Sequence, residues 1–299
     1  MIKIYDNIKE EKERIEKCIQ KYGWTSDHNL DWFLECAINE EGRPVFVEFE
    51  DGTGLLTYKY INEWSVWSSP LAPKELVPKR IIEFSDFALD GLIREVWLVD
   101  VSDSIRSELE NSNLKIGDIY YSLSWPVLDM EKYDPSLPGG HFKDIRNAKS
   151  KFYREHKVEI RNITQLNKEG LYKIVDDWKK IVSKRPDIYE EKYKKAISNN
   201  FKGFKTVRAL VVDGITVGFN AGYEVVNHPG RFAGVVGIHD YSIRDLGLIL
   251  WLEDLDWIKN AGYKELDMQG SEDDGGLKFK MQFNPTIERK TDTFCITRK

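Results

Sequence analysis

Cysteine is scarce in this 299-residue chain: Cys18, Cys36 and Cys295 form an odd, scattered set with no paired spacing. That excludes a disulfide framework and points to a reducing, cytoplasmic setting. The five histidines, at 28, 141, 156, 228 and 239, show no ligand spacing and pair with no cysteine, so no metal site is expected. No apolar run approaches membrane-spanning length, which predicts no integral membrane contact. The opening stretch MIKIYDNIKEEKERIEK is charged too early for a secretory signal. Positive charge is not in excess either. Lys and Arg number 44 against 50 Asp and Glu, a net charge of -6, which argues against nucleic-acid binding by the whole surface but leaves a local basic face open.

What is present is a composition of 41% hydrophobic and 31% charged residues, that of a soluble globular protein, with 9 Trp, 14 Tyr and 14 Phe. The length suits two modest domains. In the first half, periodicity predicts helices over 6–22 and 30–38, the latter capped by Asn29. Strands follow over 45–50, 55–61 and 64–69, the first two joined by Asp51-Gly52-Thr53-Gly54, whose glycines accept the positive φ of a hairpin turn. A helix ending at Leu89, a strand over 95–101, a short helix to Leu109 and a strand over 119–128 complete a mixed α/β domain. The stretch DMEKYDPSLPGG, 129–140, breaks all periodicity and is the expected boundary. The organisation expected is therefore residues 1–130 as one domain, 131–164 as linker and basic helix, and 165–299 as a second domain. The basic helix, 141–154, carries Lys143, Arg146, Lys149, Lys151 and Arg154. It reads as a solvated surface or as a phosphate-facing element.

The second domain is organised around Arg231 to Gly262. An apolar strand, Phe232 to Ile238, is interrupted by Gly234 and Gly237, as at a bulge or a close backbone approach. A polar loop, His239 to Asp245, leads to Gly247. From there Leu248, Trp251, Leu252, Leu255 and Ile258 recur at helical spacing. Peptide N–H groups at a helix start lack intrahelical partners and can hold a carbonyl or anionic oxygen. Around this unit stand helices over 171–182 and 189–197, a hairpin of strands 206–212 and 215–225 turning at Asp213-Gly214, a strand over 265–268 and a final strand over 291–297.

That order of elements over 165–299 resembles the GNAT acyltransferase fold. The loop Arg244-Asp245-Leu246-Gly247-Leu248-Ile249 is similar to the GNAT donor-binding pattern, except that Ile249 stands where a small residue is usual. A closer resemblance is carried by Val127-Leu128-Asp129, Leu137-Pro138-Gly139-Gly140, Ile145-Arg146-Asn147, Gly270-Ser271-Glu272-Asp273 and Gly276-Leu277-Lys278-Phe279-Lys280. These look like the phosphatidylglycerol lysyltransferase C-terminal-domain family, tandem GNAT-like acyltransferases related to the peptidoglycan-bridge aminoacyltransferases. The likeness covers nearly the whole chain. It implies two tandem GNAT-like domains and transfer of an aminoacyl group from aminoacyl-tRNA, with no permanently bound cofactor. The implied partners are tRNA and an amine or hydroxyl acceptor: a small molecule, lipid head group or peptide.

Acyl transfer needs a deprotonated acceptor, a place for the developing oxyanion and exclusion of water. Asp240, which matches an acidic position in the family, is the first candidate for base or proton relay. His239, whose ordinary pKa lies near neutrality, is the second, and Glu224 is a weaker third. The resemblance assigns Lys280 to neutralising charge on the reacting ester or holding a phosphate. It places Arg244, Gly247, Leu248 and Lys278 at the donor, and Arg146 and Asn147 at acceptor or phosphate. Each has a structural alternative: Asp240 as a loop carboxylate, His239 as a hydrogen bonder, Arg244 as its ion-pair partner, Lys278 and Lys280 as solvated lysines. Two rival functions stay open, an acetyl-CoA-dependent N-acetyltransferase and a catalytically silent GNAT-like binding protein.

Overall fold

The computed structural model describes residues 1–37, 42–89, 92–182, 190–272 and 275–299, with Thr164 and Val182 described by backbone alone. Ile38, Tyr189 and Asp273 of the segments above lie outside the described residues. The chain forms two compact units: 1–126 with 225–229 and 270–299, and 127–224 with 230–269. This partition returns 270–299 to the first unit and places the basic helix in the second.

In the first unit, β1 (Ile2–Tyr5), α1 (Lys12–Tyr22), α2 (Leu30–Glu35), β2 (Arg43–Phe49), β3 (Gly54–Lys59) and β4 (Glu63–Trp67) are followed by α3 (Val77–Ala88), β5 (Glu95–Ser102), α4 (Asp103–Leu109) and β6 (Leu114–Asp129), which runs on into the second unit. Its sheet order is β1-β2-β3-β4-β5-β12-β6, where β12 spans Thr286–Arg298. The β1–β2, β2–β3, β3–β4 and β5–β12 pairs are antiparallel and β4–β5 is parallel. Phe84 and Ile81 of α3 pack on Leu98, Val96 and Phe294 in one buried cluster. The β2–β3 turn works as its composition predicts: Gly52 has φ +78, and Asp51 Oδ1 accepts the N–H and hydroxyl of Thr53. Arg80 of α3, nearly buried, ties this turn down through Thr53 Oγ1 at 2.8 Å and a close contact with Asp51, over the face of Phe49.

The second unit adds α5 (Lys143–Glu155), β7 (Val158–Asn162), α6 (Lys168–Val182), α7 (Glu191–Ser198), β8 (Thr206–Val212), β9 (Ile215–Glu224), β10 (Arg231–His239), α8 (Leu246–Asn260) and β11 (Glu265–Asp267). The chain then returns to the first unit with α9 (Gly275–Met281) and β12. Strand order in the second unit is β6-β11-β10-β9-β8-β7, with β10 and β11 parallel. Phe152, Leu210, Val212, Val217, Leu246, Ile249 and Leu250 form a buried cluster between sheet and helices. Arg208 and Asp254 make a buried ion pair, with the guanidinium 4.6 Å from the Trp257 ring.

Mixed pairing with one parallel pair in each unit, flanked by helices, makes this an α/β fold. Among the described residues no helix is long and apolar enough to cross a membrane.

Candidate active site

The site begins where β10 parts from β11. Their ladder has three pairs, Arg231–Glu265 to Ala233–Asp267, and from Gly234 on β10 is paired on its β9 side alone. A bulge between Gly234 and Val236 shifts the β9 register there, where strand glycines predict one. On the other strand Asp267 Oδ1 accepts the N–H of Gln269, whose φ of +64 turns the chain away. Among the described residues, the edge of β10 beyond Ala233 therefore presents peptide groups with no partner strand, which is what a carbonyl or oxyanion needs.

His239 ends β10. Its ring stacks on Tyr241 with centroids 4.3 Å apart. A Cβ on Gly247 would lie 2.7 Å from His239 Cε1 and Nε2, so the glycine makes room for the imidazole. The helix starts at Leu246, before Gly247 rather than after it, and Asp245 precedes it with φ +63 and no side-chain cap. This shifts the buried face: Leu246, Ile249, Leu250, Leu252, Leu255 and Ile258 are buried, while Leu248 and Trp251 lie at its margin. Ile249 is fully buried in the apolar cluster, so the core explains the large side chain. Burial pulls the His239 pKa below its ordinary value, opposed by Asp240, and keeps the imidazole neutral near neutral pH.

Asp240 Oδ1 accepts the Ser242 N–H at 2.8 Å and its own N–H donates to Val217 O at 2.8 Å, so one carboxylate oxygen braces the turn. Arg244 does not pair with Asp240. It is largely exposed and has a loose contact with Asp245 at 3.6 Å. Glu224 accepts from Tyr263 at 2.8 Å on the surface. Arg146 donates to Gly139 O at 2.7 Å and to Leu137 O, which fixes the Leu137–Gly139 turn; Asn147 is exposed.

In the first unit, Lys280 on α9 donates to Ser271 Oγ at 2.7 Å, while Lys278 is exposed. Ser271 and Ser124 exchange backbone hydrogen bonds at 2.9 Å, and a Cβ on Gly270 would crowd Leu123 and Trp125. The Gly-Ser motif thus anchors the start of the α9 segment on β6. The structure therefore gathers His239, Asp240, Arg244, Gly247 and Leu248 at one strand mouth of the second unit. It carries Lys278 and Lys280 on a first-unit helix, and sets Arg146 to work on its own loop. Among the described residues no group of three or more His, Cys, Asp or Glu gathers to hold a metal ion.

Sequence reasoning missed a second strand mouth in the first unit, around Asp100 and Arg289. The available signal was a lone carboxylate inside the otherwise apolar Val96–Val101 run.

The architecture is that of tandem GNAT proteins. The chain is similar to the C-terminal domain of a protein described as a lysylphosphatidylglycerol synthetase from Agrobacterium fabrum, at 15% identity and a TM-score of 0.66, over 97% of this chain and 92% of that one. It is similar to L-PGS from Bacillus licheniformis at 15% identity and a TM-score of 0.66, over 96% and 91%. A tandem GNAT protein from the clavulanic acid biosynthesis pathway matches at 9% identity and a TM-score of 0.57, over 99% and 98%. No family model and no curated protein sequence matches the chain.

Proposed function

We propose that the protein is an acyltransferase that moves an aminoacyl group from aminoacyl-tRNA to an amine or hydroxyl acceptor. The observation that supports this most is the open strand mouth of β10, inside a fold that follows the lysylphosphatidylglycerol synthetase domain along almost its whole length. In the proposed reaction the acceptor nitrogen or oxygen attacks the ester carbonyl carbon. Negative charge develops on the carbonyl oxygen, where the unpartnered peptide edge beyond Ala233 would receive it. The ester C–O bond then breaks and the ribose oxygen of the tRNA leaves as a hydroxyl, taking up the proton withdrawn from the acceptor. His239, stacked on Tyr241 and with its pKa lowered by burial, is proposed ahead of Asp240 as the base that takes the acceptor's proton. Asp240 holds the turn that aims it and favours the imidazolium that forms. Arg244, an exposed cation, is proposed to meet a donor phosphate, with Leu248 and Gly247 at the donor end of the helix. In the first unit Lys280, steadied by Ser271, and the exposed Lys278 are proposed as cations that hold a phosphate. Arg146 serves by shaping the Leu137–Gly139 turn, beside the exposed Asn147.

Incubation with charged tRNA and cell extract, read by mass spectrometry, should yield a new amide or ester. The His239→Ala, Asp240→Asn and Lys280→Ala proteins should stay folded by circular dichroism and lose that product. Full turnover in both Asp240→Asn and Lys280→Ala would remove the site assignment. Stabilisation by acetyl-CoA in a thermal-shift assay, with no product from charged tRNA, would transfer the reading to CoA chemistry.

A further inference from the structure

The first unit has its own parting of parallel strands. The β4–β5 ladder ends at Trp67–Val99. The next residue on each strand is left-handed: Ser68 has φ +60 and Asp100 has φ +53. Such a conformation costs a non-glycine residue about 1–2 kcal/mol and persists only where the surroundings impose it. The surroundings here are specific. On the far side of β5 a bulge opposes Asp100 to Thr293, whose hydroxyl accepts the Asp100 N–H at 3.1 Å. Beyond β4, His28 staples two loops together: Nδ1 accepts the Trp24 N–H at 2.9 Å, and Nε2 donates to Ser69 O at 2.8 Å.

Between the parted strands lies a cavity of about 310 Å³ whose lining includes Trp24, Lys74, Asp100, Ile105, Glu108 and Arg289. Both charge signs are present, and among the described residues neither is neutralised by a tight ion pair. The Asp100 carboxylate meets the hydroxyls of Tyr121 and Thr293, and burial raises its pKa to about 7. The Arg289 guanidinium rests 4.0 Å from the Trp125 ring and 5.8 Å from the Trp24 ring, with Glu288 as a loose ionic neighbour at 3.8 Å. The Lys74 ammonium lies 5.3 Å from the Trp24 ring, and the buried indole N–H of Trp24 has no hydrogen-bond partner among the described residues.

We propose that this cavity binds a small zwitterion of the amino-acid class, its ammonium on Asp100 and its carboxylate on Arg289, with any apolar portion against Trp24 and Ile105. A polyanion such as phosphate would meet Asp100 and Glu108, and a simple cation would meet Arg289 and Lys74. A ligand with one charge of each sign answers both. Cavities of this size are at the small end of ligand pockets, which suits a free amino acid. The inference does not depend on the transfer chemistry assigned to the second unit.

Isothermal titration of the full chain with glycine, L-lysine and L-glutamate at pH 8 tests it, with propylamine, propionate and inorganic phosphate as single-sign probes. At least one zwitterion should bind 10-fold or more tightly than every single-sign probe, since losing either anchor removes one charge-assisted contact. Asp100→Asn and Arg289→Gln should each weaken that binding at least 10-fold. Ser104→Trp, at the exposed rim, should block it without touching the core, and decides the matter if Arg289→Gln fails to fold. Absence of binding by all three zwitterions, tighter binding of phosphate, or unchanged affinity in Asp100→Asn and Ser104→Trp overturns the proposal.

Discussion

The two strand mouths solve one geometric problem by different means. A parallel pair must separate to admit anything between its strands, and the backbone has to be bent away from its ladder. In the second unit the work is shared: the β10 bulge falls at Gly234 and Gly247 leaves room for His239, while β11 turns away on a left-handed Gln269. In the first unit both strands turn on left-handed residues that carry side chains, Ser68 and Asp100. Glycine makes the opening at little steric cost but brings no functional group to it. The strained route places a carboxylate at the apex. The first opening is thus a candidate for recognition by side chains, and the second for recognition by peptide groups.

The largest expected effect is on the peptide-lined side. His239→Ala should lower aminoacyl transfer on the order of 100-fold or more in single-turnover assays, the usual contribution of a positioned base. If transfer survives, the second mouth is not the reactive one. Next is Asp254→Ala. Leaving Arg208 buried without its partner should destabilise the second unit by about 3–5 kcal/mol in urea unfolding, and a second transition should separate if the units unfold independently.

Two titrations contrast the walls of the first mouth. Burial lowers the pKa of His28 from 6.5 to about 4. The unfolded chain then binds more protons than the fold between those values. Stability from this group is complete above pH 6.5 and is lost as pH falls through 4, by about 3 kcal/mol. A His28→Gln protein should lack that slope. Asp100 runs the other way. With a folded pKa near 7 against the ordinary 3.8, the fold holds the extra proton, and stability present below 3.8 is lost as pH rises through 7. Asp100→Asn should therefore melt higher than the parent at pH 8 while losing its ligand. A lower melting temperature would show that the carboxylate is there for the fold. The smallest effect is Gly247→Ala, which gains helix propensity but crowds the imidazole. A net cost of about 1 kcal/mol is expected, relieved in a His239→Ala background.

How much of this was legible in the sequence depended on how local its cause was. The Asp51-Gly52 and Asp213-Gly214 hairpins and the Asn29 cap were readable, because turn and cap chemistry act within four residues. Strands β1 and β7 were not. They lie at sheet edges, are short and are mostly exposed, so they carry no apolar alternation. The start of α8 was misplaced because Gly247 reads as punctuation, whereas it is a packing residue inside the first turn. At the second mouth the candidate residues were legible as types, while the pairing of Arg244 with Asp245 was a matter of geometry. The first mouth was illegible. Asp100 and Thr293 come together across 193 positions, and nothing near either announces the other.

That same separation sets an order of events at the ribosome. Strand β5 waits for β12, which brings Phe294 and Ile296 to the core beneath α3. At roughly 5–20 residues per second, the wait is about 10–40 s, during which one flank of β5 has no neighbour. The second unit's strands emerge within that interval and can pair among themselves first. Of the two halves, the one translated earlier is thus the one whose sheet is finished later, and a nascent chain stalled before residue 286 would carry an unclosed β-edge for a chaperone to shield.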